Sequence, residues 1–466
     1  MGLLAFLLLA GGWPAFRGDN GSGVGNTVGL PAEFGPAKNV LWKVSLPQGT
    51  SSPIAAGGRI HITGHESGAL TTFALDARTG EILWRRSLDR PRAEKLHKLN
   101  SPASSTPVTD GTNVYVFFGD FGLVSYGPDG NERWRAPLGP FTNLHGMGAS
   151  PVLAGGNVIM LCDQDVGSFL LALDKDTGRQ AWRVERPAVV HGFATPTLFT
   201  PEGGSPQVVV PGSYLLTSHD AATGRELWSV RGLSWQIKTT AVTREGVIYV
   251  TGWAPGADPG QARPLPPFEE AAAKIDANRD GRLSQEEVNP SEFRHSGSWR
   301  AVDLDDDGYW DKREWGFYRA RRSARNLTMA VRPGNARGDL TDTHVLWTND
   351  RFVPQVSSPL LYEGVLYIIK DGGIFTSMDP KSGKIFKTAR IPGAIDNYYS
   401  SPVAADGKVF LASETGKVTV VKPGAEWEVV AVHDFEENIY ATPALLEGRI
   451  YLRTSSTLYC LGKKAD

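Results

Sequence analysis

Cysteine is almost absent: Cys162 and Cys460 are the only two in 466 residues. Two cysteines make neither a disulfide framework nor a cysteine zinc site, and both sit in strand-like apolar runs, so they read as buried free thiols. Net charge is nearly absent too, at −2 from 48 basic and 50 acidic residues. That balance excludes a general electrostatic nucleic-acid binder. Long apolar runs are missing; none approaches the roughly 18 residues of a membrane-spanning helix. The longest early run, Leu3 to Ala10, is followed by Gly11 and Gly12. It has the length of a secretory h-region, with Ala10 and Gly12 suited to a cleavage site. Residues 1–12 are therefore expected to be the remnant of a signal peptide, the alternative being a short buried N-terminal segment. The corresponding location is periplasmic or secreted.

Glycine and proline are plentiful, 53 and 31 residues, which indicates many turns and many short strands. Their arrangement is periodic. A small residue and proline open each unit: Ser51-Ser-Pro53, Ser105-Thr-Pro107, Ala149-Ser-Pro151, Ala194-Thr-Pro196, Thr239-Thr-Ala241, Ser357-Ser-Pro359, Ser400-Ser-Pro402 and Ala441-Thr-Pro443. The spacing stays near the mid-forties, except for the interval from Ala241 to Pro359. Four short strands per unit, a propeller blade, fit that period. Each unit continues to a turn and a tryptophan, most fully in Ala74-Leu-Asp76-Ala-Arg-Thr79-Gly80-Glu-Ile-Leu-Trp84 and Ala172-Leu-Asp174-Lys-Asp-Thr177-Gly178-Arg-Gln-Ala-Trp182. Asp accepts bonds from nearby backbone N–H groups, Gly takes φ > 0, and Trp packs one blade on the next. The last unit has room for three strands only. Residues 39–46, with Trp42, look like the missing fourth. The predicted fold is all-β: an eight-bladed propeller closed by its N-terminal strand. Residues 13–256 and 326–466 make the propeller.

These motifs resemble the quinoprotein-type propellers and their tryptophan-docking signature A-x-D-x-x-T-G-x-x-x-W. Trp13-Pro-Ala-Phe-Arg17-Gly18-x-x-Gly21 is similar to the mature start of secreted propellers of this kind. The resemblance implies two kinds of relative: dehydrogenases using pyrroloquinoline quinone (PQQ), and non-enzymatic propellers of outer-membrane assembly.

The long interval, residues 257–325, has a different texture. Asp276-Ala-Asn278-Arg-Asp280-Gly281-Arg282-Leu-Ser284-Gln-Glu-Glu287 fits a twelve-residue EF-hand loop, and Asp303-Leu-Asp305-Asp-Asp307-Gly308-Tyr309-Trp-Asp311-Lys-Arg-Glu314 fits it again. Alternate residues turn oxygens inward; Arg282 and Tyr309 give their carbonyls, Ser284 and Asp311 hold the ninth position, and Glu287 and Glu314 close the site. Two Ca²⁺ ions are the expected cofactors. The pair is expected in blade 5, on the face where blades connect, at the mouth of the axial channel.

On that face, residues four to six before each signature Pro approach the axis: Gln48, His145, His191, Gln236, Gln355, Asn397 and Asn438, with Trp235, Lys238, Arg351, Asp396, Tyr398, Glu436 and Tyr440 as neighbours. Such residues can satisfy backbone groups at strand starts; a ligand-binding funnel is the rival reading. His145 and His191 on successive blades are candidates for a shared transition metal. A PQQ enzyme would use Trp235 as stacking platform and Asp396 or Glu436 as base. Adjacent cysteines and a haem-attachment C-x-x-C-H are absent, so PQQ is possible but not favoured. The preferred reading is a monomeric calcium-binding scaffold taking a protein or saccharide on its upper face. The alternative is a PQQ-dependent dehydrogenase of alcohols or sugars.

Overall fold

A computed structural model describes residues 12–295 and 297–463. The leader expected at residues 1–12 lies, apart from Gly12, outside them. Eight antiparallel sheets form eight blades. In blade 1 the order runs from the inner strand Ile54–Ala56 through Arg59–Glu66 and Ala69–Asp76 to the outer Ile82–Asp89. Inner strands are short and mostly buried; outer strands carry most of the exposed side chains.

The ring closes as the sequence predicts. Val40–Ser45 pairs antiparallel with Thr457–Gly462, placing Trp42 opposite Cys460. Arg453 then ties blade 8 to blade 1, donating to the carbonyls of Pro47, Ser51 and Thr63. Closure removes the open sheet edge that a linear array would expose.

Tryptophan docking joins the blades. The indole N–H groups of Trp42, Trp84, Trp134 and Trp182 donate to the carbonyls of Ala77, Pro128, Lys175 and Ala221 on the next blade. Each ring lies on the turn glycine of that blade; a Cβ on Gly178 would stand 2.7 Å from Trp134. Where Trp is replaced by Lys387, the ammonium takes the same role, donating to the Trp427 carbonyl at 2.6 Å.

A second belt runs around the axis. The hydroxyl of the middle signature residue accepts the backbone N–H of its counterpart in the preceding blade. Ser52 N donates to Thr106, Thr106 N to Ser150, Ser150 N to Thr195, Thr240 N to Ser358, Ser358 N to Ser401, Ser401 N to Thr442 and Thr442 N to Ser52. The step from blade 4 to blade 5 is missing, and Thr240 Oγ1 there is buried without a partner. The same junction departs elsewhere. Trp228 turns to Gln207 of its own blade, and Gly338–Asp339 adds a parallel strand to blade 4.

Residues 13–30 cross the face opposite the strand starts. Trp13 bridges to Ala55 of blade 1, Val24 to Ala404 of blade 7, and Asn20 exchanges bonds with Leu198 of blade 4. Arg17, fully buried, donates to the Pro359 carbonyl of blade 6. This segment plugs the channel from below.

The long insertion leaves blade 5 after Val247–Gly252 and returns at Leu327–Val331. Asn326 clamps its neck: the side chain accepts from Ala254 N at 2.7 Å and donates to Ala254 O and Asp258. Three helices lie between, α1 (Phe268–Ile275), α2 (Gln285–Val288) and α3 (Lys312–Ser323). Helix α2 stops before Asn289-Pro290, as a proline requires. Their core stacks Trp299 on Trp310 with centroids 4.3 Å apart, and adds Trp315, Tyr318 and Phe293. Both cysteines are free and buried. Among the described residues no helix is long and apolar enough to cross a membrane.

Candidate functional site: an axial cavity beside a docked helical module

A cavity of about 460 Å³ lies on the propeller axis. Its wall follows the two-residue alternation of a strand. The residue three places before the last signature position faces the cavity in every blade: Thr50, Ser104, Gly148, Phe193, Lys238, Val356, Tyr399 and Tyr440. The middle signature residues Ser52, Thr106, Ser150, Thr195, Ser358, Ser401 and Thr442 line it too. Phe16 of the N-terminal plug also contributes to the lining.

Of the sequence candidates, His145, Gln236, Lys238, Gln355 and Tyr440 reach this cavity. The others do not. Gln48, Arg351, Asn397, Glu436 and Asn438 are exposed on loops. Asn397 donates to Glu414, and Asp396 accepts from Thr415 N. Tyr398 is buried and bonds the Ala394 carbonyl. Counting back four to six residues overshot the strand: those positions lie in connecting loops of unequal length. Only the third position back faces the cavity in all eight blades, and the first does so in seven; further back, a residue reaches the wall only where its loop happens to turn it in, as at His145, Gln236 and Gln355. Tyr399, Phe193 and Thr50 were therefore missed, although alternation from the signature would have found them. Trp253 and Pro255 were missed for another reason: they line the cavity from the start of the insertion, where no repeat marks them.

His191 and Trp235 lie beneath the inserted module. Arg321 of α3 stacks 3.7 Å over the Trp235 ring, and His191 meets that ring edge-on. His191 Nδ1 lies 2.7 Å from Asp165 Oδ1. Tyr214 donates to the Phe317 carbonyl and Arg313 to that of Asp165. The module is thus seated on blades 3 and 4. His145 is paired differently: its ring packs edge-on against His97, and its Nε2 lies 3.1 Å from Gln236 Nε2. The two candidate metal ligands His145 and His191 thus have different partners, His97 and Gln236 for the one and Asp165 and Trp235 for the other.

Electrostatically the cavity is one-sided. Among its lining residues are Lys238, His97 and His145 and no Asp or Glu. Lys238 forms no ion pair among the described residues; its ammonium donates weakly to Gln236 Oε1 at 3.4 Å. Burial brings the ammonium down to about 8. Burial, with repulsion from Lys238, holds His145 down to about 4, so its ring is neutral at pH 7. Calcium beside a quinone needs carboxylate oxygens. The wall offers none, and Trp235, Asp396 and Glu436 stand outside it. The residues present do not fit that group.

In the module the two acidic loops share one conformation. Arg279 and Asp306, at the fourth positions, and Gly281 and Gly308, at the sixth, all have positive φ. The loops touch through a short antiparallel ladder, Leu283 opposite Trp310. Oxygens of Asp303, Asp305 and Asp307 lie within 4.8 Å of one another. Glu287 accepts from Ala277 N and Ser284 N across the first loop; Glu314 accepts from Leu304 N and Asp311 N across the second. Burial, with Asp311 and Asp305 nearby, pushes Glu314 up to about 7. Asp303 is raised for the same first cause.

Fold and repeat together define a PQQ-like β-propeller. A family model described as outer membrane protein assembly factor BamB matches residues 35–169 and 166–262. The chain is 26% identical over 162 residues to the outer membrane protein assembly factor BamB of Burkholderia pseudomallei (strain K96243). That stretch is 34% of this chain and 37% of the relative, so the match spans little more than a third of the relative's length. The crystal structure of BamB from Moraxella catarrhalis superposes with a TM-score of 0.56 at 11% identity, covering 92% of this chain and 98% of that one. A europium-containing methanol dehydrogenase gives 0.61 at 9% identity, covering 97% and 98%. These likenesses establish the shared fold.

Proposed function

We propose that this chain is a periplasmic or secreted calcium-binding propeller that serves as a scaffold, taking a protein partner on its upper face. The observation that supports this best is the module itself. Two loops of matching conformation, with converging carboxylates, sit on the strand-start face and are held there by Tyr214, Arg313 and Arg321. Calcium in those loops would order the module and hold a fixed surface beside the cavity mouth. The matches to an outer membrane protein assembly factor support a protein partner and an envelope location.

The test is calcium titration by calorimetry, followed by cross-linking in envelope extracts with and without chelator. Two calcium sites and a cross-linked protein lost on chelation are expected. Absence of calcium binding at millimolar metal defeats the reading. Quinone oxidation has no support in the cavity wall. Reconstitution with PQQ and Ca²⁺ followed by dye-linked alcohol oxidation tests it, and robust turnover abolished by Trp253→Ala would reinstate it.

A further inference from the structure

The wall of the axial cavity is rich in donors and poor in acceptors of charge. The hydroxyls of the belt each accept a neighbouring blade's N–H, and among the described residues none of them donates. A hydroxyl that has accepted still carries its own proton. A set of O–H donors therefore surrounds the axis. Beside them stands Lys238, the one charged member of the eightfold ring of inward residues, and no carboxylate lines the cavity. Lys238 is half-buried and has no carboxylate partner, so an anion entering the cavity would complement its charge.

We propose that the axial cavity binds a small, singly charged, hydroxylated carboxylic acid of the uronate kind, with its carboxylate on Lys238. Each part of that description has a cause. One lysine matches one negative charge; a phosphate dianion would bring a second, uncompensated charge into the cavity. The surrounding hydroxyls, with Gln236 and Gln355, offer donors to ring oxygens. Phe193, Tyr399 and Tyr440 give flat apolar faces to the C–H side of a sugar ring. The volume of about 460 Å³ is that of a small-molecule pocket. His145, uncharged at pH 7, lines the cavity without adding charge. The proposal is independent of calcium and of any protein partner, and its test involves neither.

Calorimetry with glucuronate, its neutral isostere glucuronamide, glucose and inorganic phosphate decides it. Glucuronate should bind one to one, about ten- to hundredfold tighter than glucuronamide, the range expected for a charge-assisted bond. Lys238→Met should erase that preference and Lys238→Arg should restore part of it. The comparison of the two ligands on the unaltered protein stands even where a variant fails to fold. Equal binding of glucuronate and glucuronamide, tighter binding of phosphate, an unchanged preference in a folded Lys238→Met protein, or no binding of glucuronate at millimolar concentration would each overturn the proposal.

Discussion

Trp134 shows how a single residue holds two blades. Its indole donates to Lys175 O at 2.9 Å and its ring covers Gly178, whose φ is +70°. Trp134→Ala should destabilise by about 3–5 kcal/mol, as for other buried aromatic truncations. Gly178→Ala should also destabilise, because its Cβ meets the ring at 2.7 Å; urea unfolding measures both. The Asp-x-x-Thr-Gly chemistry was readable beforehand: Asp76 Oδ1 accepts from Arg78 N, Thr79 N and Thr79 Oγ1. The middle signature hydroxyl was not, since "small residue" hides its bond to the preceding blade. Thr106→Val removes the acceptor of Ser52 N and should cost about 1–3 kcal/mol. Thr240→Val, where the hydroxyl has no partner, should cost little or nothing. Equal losses at the two sites would refute the belt as a source of stability.

At the scale of the element, the inserted module is the part most sensitive to metal. Glu314→Gln is expected to weaken the second calcium site and Glu287→Gln the first, each with little effect on the other's stoichiometry in calorimetry. With chelator, residues 268–323 should lose hydrogen-exchange protection while the blades keep theirs. Glu314 adds a pH dependence to the metal-free module. Its folded value of about 7 lies above its ordinary 4.5, so the protonated form is favoured in the fold. That contribution is complete below about 4.5 and is lost as pH rises through 7. Chelated protein should therefore show Trp310 and Trp315 fluorescence closest to the calcium form at pH 5 and furthest at pH 8. The opposite trend would contradict the burial assigned to Glu314.

For the whole molecule, ring closure makes stability cooperative, and buried histidines make it acid-sensitive. Burial takes His61 and His219 down to about 3 and His145 to about 4. The unfolded chain binds these protons near pH 6.5 and the folded chain does not. Stability is thus full above about 6.5 and falls progressively as pH drops toward 4. Each histidine contributes on the order of 1–3 kcal/mol to that loss. Thermal unfolding from pH 7.5 to 4 should show a falling midpoint, and His61→Phe, which keeps the packing on Trp84, should flatten part of the slope. A midpoint independent of pH would exclude neutral burial of these rings.

Blade number, the closing strand at Trp42 and the point of insertion in blade 5 followed from sequence because they rest on contacts between neighbours in a repeat, and a repeat announces its own period. The acidic loops were legible for the same local reason: their residues lie within twelve positions. Which side chains line the axis was decided by tertiary structure. Loops of unequal length feed the inner strands, so sequence distance from the signature stops tracking depth once the chain leaves the strand. Trp235 lies under α3, whose Arg321 stacks on it from 86 residues further along the chain, and His191 packs edge-on against that same ring. The plug formed by Phe16 and Arg17 touches blades from one end of the chain to the other. Such contacts have no period, and only the folded ring brings them together.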